Sequence, residues 1–81
     1  MKADYSERAG KTLQSLPPDV RKVLFKQVRF LERDLRHPSV RAKKYDETQS
    51  LWQARVNKDW RFYFLIRDGI YYIVDIIPHP K

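Results

Sequence analysis

The chain has 81 residues, the length of one domain running from 1 to 81, and about 60–65% of the unfolded surface of such a chain is buried on folding, so its stability is modest. It has no cysteine, which excludes disulfides and thiolate metal sites and fits a reducing cytosol, and no apolar run nears the ~20 residues that span a bilayer; with no signal-like apolar stretch in MKADYSERAG, a cytoplasmic protein without a membrane partner is expected. A net charge of +7 (17 Lys+Arg against 10 Asp+Glu) points to a polyanionic partner, either nucleic acid or an acidic protein segment.

Along the chain, Ser6 is placed to cap a short helix through Gln14, with Ala9 and Leu13 on one face and Gly10 weakening it. Leu16-Pro17-Pro18-Asp19 breaks that helix and starts a stronger one, from Pro18 to Arg36. Val20, Val23, Leu24, Val28, Leu31 and Leu35 form its apolar stripe, while Arg21, Lys22, Lys26, Arg29 and Arg33 read as a solvated face. His37-Pro38 is expected to end it, because the residue before proline disfavours the α region, and His37 reads as structural. From Val40 the hydrophobic period changes from 3.6 to 2. Val40 to Tyr45 is a weak strand; Lys43 and Lys44 read either as a charged edge that discourages strand pairing or as phosphate contacts. Leu51 to Val56 and Trp60 to Ile66 alternate across an Asn57-Lys58-Asp59 turn. Asp68-Gly69 then marks a hairpin into a last strand, Ile70 to Ile77. Helices first and hairpins after predict an α+β fold: a helical hairpin on one face of a twisted antiparallel sheet of three or four strands.

Register decides which side chains share the open face. A three-residue loop at Asn57–Asp59 pairs Arg55 with Arg61 and turns Trp52, Ala54, Val56, Trp60, Phe62 and Phe64 to the helices. Arg55, Arg61 and Tyr63 then line the other face. In the last hairpin, a two-residue Asp68-Gly69 loop would put Asp75 among the aromatics, a costly burial. A three-residue loop is therefore expected, with Tyr72, Val74 and Ile76 in the core and Tyr71, Ile73 and Asp75 beside Arg61.

Three stretches, "YSERAGKTLQSLPPDVRKVL", "LWQARVNKDWRFYFLI" and "DGIYYIVDIIPHPK", resemble in order and spacing the opening helical hairpin, central strand pair and basic or histidine-bearing tail of the RelE/ParE superfamily. These are toxins of bacterial type II toxin–antitoxin systems. The resemblance implies a RelE-like fold and a role as toxin. In the RelE branch that means a metal-independent mRNA endonuclease that inhibits translation, usually on the ribosome; in the ParE branch it means a poison of DNA gyrase. Arg61 matches the branch's arginine after an aromatic, Arg55 a basic strand position, and His79 the basic or histidine residue of the tail. The family's first strand has only MKAD to draw on here. Its tail tyrosine has no counterpart after His79, which leaves Tyr63 or Tyr71 as spatial substitutes. The implied partners are mRNA, the ribosome and a cognate antitoxin, an acidic amphipathic segment that folds on the basic surface.

The residues themselves suit that chemistry. RNA cleavage by the 2′-hydroxyl needs a base, an acid for the leaving 5′-oxygen and cations at the pentavalent phosphorane. His79 is the candidate for proton transfer. Arg55 and Arg61 are suited to bidentate phosphate contact. Tyr63 or Tyr71 would stack on a base, and Lys43, Lys44, Lys58 and Lys81 would contact the backbone. Asp75 is a candidate to orient His79 or an arginine. Two separated histidines and no cysteine form no metal constellation, and neither a glycine-rich phosphate loop nor a serine nucleophile motif is present, so no cofactor is expected. A non-catalytic RNA- or protein-binding module on the same fold is the third reading.

Overall fold

In the structure, a computed structural model that describes residues 1–79, a strand precedes the helical hairpin. This β1 (Lys2–Tyr5) is followed by α1 (Glu7–Ser15) and α2 (Pro18–Arg33), then by β2 (Lys43–Asp46), β3 (Leu51–Arg55), β4 (Trp60–Arg67) and β5 (Ile70–Pro78). The five strands form one sheet in the order β1-β5-β4-β3-β2. The α+β class is as expected, but the sheet has one strand more than the three or four predicted and is mixed. KADY carries no strand pattern of its own; it is a strand because it lies parallel to β5, from Lys2 opposite Ile70 to Tyr5 opposite Ile73, where its backbone groups find partners.

Ser6 caps α1: its Oγ accepts the Ala9 N–H at 3.0 Å, and its hydroxyl donates to the Val74 carbonyl at 3.2 Å. Pro18 opens α2 at its first position. That helix ends at Arg33 rather than Arg36, because the Asp34 carboxylate accepts the Arg36 N–H at 2.9 Å and folds the chain into a turn before His37-Pro38 is reached. His37 is structural as expected, its ring stacked on Phe30 at 4.1 Å. Both helices pack on one face of the sheet. Ala9, Leu16, Val20, Leu24, Val28 and Leu31 meet Ala54, Val56, Phe62, Phe64 and Ile76 in a single buried cluster, with Trp52 and Trp60 partly buried against it. Burying a side chain of this size contributes roughly 1.5–3 kcal/mol.

The β3–β4 register is the predicted one, with Arg55 opposite Arg61 and Gln53 opposite Tyr63. The last hairpin differs. Asp68 and Gly69 form a two-residue turn with φ of 53° and 75°, the paired left-handed conformations of a type I′ turn. Ile66 therefore pairs with Tyr71 and Phe64 with Ile73, while Tyr63 pairs with Asp75 and Phe62 with Ile76, the register shifting between Tyr63 and Phe64. A bulge at Val74 thus satisfies both constraints that sequence reasoning set against each other. Above it Tyr71 and Ile73 are buried in the core; below it Asp75 stays on the open face. The expected placing of Tyr72 and Val74 in the core, and of Tyr71 and Ile73 on the open face, is corrected accordingly.

Candidate functional site

Arg55 and Arg61 stand opposite each other on the face turned away from the helices. The chain between α2 and β2 folds against the end of β3, where the Arg55 N–H donates to the Val40 carbonyl at 2.8 Å. This carries Arg41 and Lys43 to the same place. Arg41, Lys43, Gln53, Arg55 and Arg61 line a cavity of about 310 Å³. Among the described residues, none of these four cations forms an ion pair. Burial, then the neighbouring Arg55 and Arg41, draw the Arg61 guanidinium below the usual arginine value, with Tyr63 acting the other way. Like charges held together without counter-charge form a site that an anion would relieve. Arg61 is also fixed in place: its Nη1 donates to the carbonyls of Asn57 at 2.5 Å and Trp60 at 2.9 Å. Its Nε and Nη2 donors make no hydrogen bond among the described residues, and these can face a phosphate.

Two residues of this arrangement escaped sequence reasoning. Arg41 adopts φ 51°, a left-handed conformation unusual outside glycine. Gln27 explains what holds it there. Only 4% exposed, Gln27 donates through Nε2 to the carbonyls of Ser39 at 2.8 Å and Arg55 at 2.9 Å, and its Oε1 accepts the Ser39 hydroxyl at 2.8 Å. It clamps the loop bearing Arg41 to the strand bearing Arg55. The signal was available: Gln27 stands three residues after Leu24 and four before Leu31, a polar residue on an apolar stripe.

The other candidates divide. Lys43 pairs with Gln53 and joins the cavity, whereas Lys44 pairs with Trp52 on the other face and lies 5.5 Å over its ring. Lys44 is thus not brought to the site, because neighbouring strand residues point to opposite faces. Tyr71 is also withdrawn, 5% exposed and edge-on to Phe64 on the helix side; burial, then Asp34, raises its phenol pKa. Tyr63 is on the expected face but only 8% exposed, covered by the edge-on ring of Tyr45 at 5.1 Å. Asp75 pairs with Arg8 of α1 at 3.8 Å rather than with Arg61. Lys58 is exposed on the β3–β4 turn. His79 is anchored by its backbone, its N–H donating to the Asp59 carbonyl at 2.7 Å. The end of β5 is therefore docked on the turn that also holds Arg61, and the His79 side chain is exposed. Lys81 lies outside the described residues. Among those residues, no group of three or more His, Cys, Asp and Glu side chains is placed to hold a metal ion, and no helix is long and apolar enough to cross a membrane.

This architecture, a helical hairpin on a five-stranded sheet, is a RelE-like fold, shared with several solved toxin structures. The YoeB/ParE toxin from Agrobacterium tumefaciens superposes with a TM-score of 0.81 at 12% identity, over 99% of this chain and 100% of that one. The archaeal RelE–RelB complex from Pyrococcus horikoshii gives 0.78 at 22% identity, over 95% and 92%, and the intact E. coli RelBE toxin–antitoxin complex 0.74 at 16%, over 99% and 98%. No protein-family model matches the chain, and no curated protein matches it by sequence. At these identities the likeness is one of fold.

Proposed function

We propose that the protein is the toxin of a type II toxin–antitoxin system and acts as a metal-independent mRNA endonuclease, engaging mRNA on the ribosome. The observation that carries this reading is the cavity of Arg41, Lys43, Arg55 and Arg61, four cations with no ion pair among the described residues, with His79 docked by its backbone at the turn that holds Arg61. In the proposed reaction the 2′-oxygen attacks its own 3′-phosphate, and the bond to the 5′-oxygen breaks. Arg61 and Arg55 hold the phosphate oxygens and stabilise the charge that builds on the phosphorane. His79 moves a proton, as the acid for the leaving oxygen or the base for the 2′-hydroxyl. Lys43 and Lys58 contact flanking phosphates.

Several structural neighbours are toxins solved together with an antitoxin. By extension we assign this chain a cognate antitoxin with an acidic amphipathic segment. The exposed Phe25 on α2, flanked by Lys22, Lys26 and Arg29, offers it an apolar anchor among cations. A second reading, inhibition of DNA gyrase as in the ParE branch, is favoured by one observation: the His79 side chain has no hydrogen-bond partner among the described residues to orient it as a catalyst. Induction in bacteria separates the two readings. Cut transcripts support the nuclease, and double-strand DNA breaks with intact transcripts support the gyrase reading.

A further inference from the structure

A second cavity, of about 400 Å³, opens on the same sheet face. Gln53 stands between the two: it lines the arginine cavity, and its Nε2 donates to the Tyr63 hydroxyl at 2.8 Å on the other side. Tyr45, Leu65, Ile77, Asp75 and Arg8 are among the residues that line this second space. We propose that it receives a guanine base of the RNA strand whose phosphate rests on Arg55 and Arg61. The proposal rests on the nucleic-acid reading above and deepens it.

The lining is that of a base site. Leu65 and Ile77 give it an apolar floor, and Tyr45, 59% exposed, leaves ring surface on which a base can stack. Asp75 and Arg8 give it an edge. Asp75 Oδ1 accepts the Ile76 N–H at 3.0 Å and lies 3.8 Å from Arg8 Nε, while Oδ2 has no partner among the described residues. A carboxylate accepts only, and a guanidinium donates only. The Watson–Crick edge of guanine presents N2–H and N1–H donors beside the O6 acceptor, which matches Asp75 followed by Arg8. Adenine would set its N1 acceptor against the carboxylate, and cytosine its N3 acceptor. Uracil offers one donor between two acceptors. The spacing also suits a nucleotide, since Arg61 and Tyr63 are two residues apart on one strand, roughly 6.6 Å, the reach from a phosphate to its own base.

The test is an amide chemical-shift titration of isotope-labelled protein with inorganic phosphate, GMP, AMP and UMP. Phosphate should move the Arg55 and Arg61 signals alone. GMP should move these and also Leu65, Asp75 and Ile77, binding roughly tenfold more tightly than AMP or UMP, the scale of one good bidentate base contact. Asp75→Asn presents an acceptor and a donor, and should bring AMP to at least the affinity of GMP. Arg8→Ala, a change on an exposed helix face, should also lower the preference for GMP. Both variants should keep the wild-type response to inorganic phosphate. If phosphate moves Arg55 and Arg61 but GMP binds no better than AMP, the base site is wrong and the phosphate site stands. If phosphate moves neither arginine, the nucleic-acid reading fails and this proposal fails with it.

Discussion

At the scale of single residues, the site depends on cations kept close together with no ion pair among the described residues. Arg61 is the best held of them, through the Asn57 and Trp60 carbonyls. Arg61→Ala should lose on the order of 10²–10³ in cleavage rate, as for removal of one preorganised donor, and leave the fold intact in circular dichroism. Arg61→Lys should not restore the rate, because an ammonium cannot reproduce the forked geometry. Arg41 offers a complementary test. Its left-handed backbone (φ 51°) costs about 1–2 kcal/mol outside glycine, so Arg41→Gly should raise the melting temperature while weakening RNA binding. A variant both less stable and unimpaired in binding would contradict the assignment. The depressed Arg61 value has a sign to it. Folding disfavours its charged form, so at neutral pH the cluster subtracts stability, which would return only as pH rises towards the arginine range. An anion restores it without deprotonation. Inorganic phosphate should therefore raise the melting temperature of the wild type, by about 1.4 kcal/mol of ligand stabilisation at ten times its Kd, and that of Arg55→Gln by less.

At the scale of elements, the bulge at Val74 is the feature on which both faces depend. The Ser6 hydroxyl donates to its carbonyl, and the Ser6 N–H donates to the Ile73 carbonyl at 2.8 Å, so the start of α1 is tied to the bulged strand. Deleting Val74 would remove the extra residue and leave one unbroken register in which Tyr71, Ile73 and Ile76 still face the core and Asp75 the open face. The deletion variant should therefore keep a cooperative thermal transition, and loss of that transition would show that β5 needs the bulge itself and not only the two faces it reconciles. Ser6→Ala should cost about 1 kcal/mol, read from denaturant midpoints. The same element shows what could be read from sequence. The faces of β3 and β4 were legible because their aromatic and apolar residues alternate strictly on both sides of a three-residue turn. The face of β5 was not, because a bulge leaves no mark in an apolar run such as IYYIV, whose residues suit either face, and Asp75 alone reports only the face beyond it. β1 was illegible for another reason: its four residues become a strand only through pairing with β5. The convergence of Arg55 and Arg61 followed from register alone. Arg41 joined them through a clamp by Gln27 that spans 12 residues to Ser39 and 28 to Arg55, a distance no local pattern reports.

At the scale of the whole molecule, the chain divides its two duties between the two faces of one sheet. Helices and aromatic residues cover one face, and Phe62→Ala there, at a fully buried position, should cost about 3–5 kcal/mol. The other face carries the charge. Binding of single-stranded RNA should weaken steeply with salt, with a log–log slope of about −0.7 for each phosphate contact, and Arg55→Ala should make the slope shallower by about that amount. The central claim is that this face cuts RNA through the 2′-oxygen with Arg61 at the phosphate. The most direct measurement is end-group analysis of mRNA incubated with programmed ribosomes, the protein and a chelator. The account predicts products with a 5′-hydroxyl and a 2′,3′-cyclic phosphate or 3′-phosphate, at a rate unchanged by the chelator and lost in folded Arg61→Ala. Products bearing 5′-phosphates, or cleavage at the wild-type rate by Arg61→Ala, would contradict it.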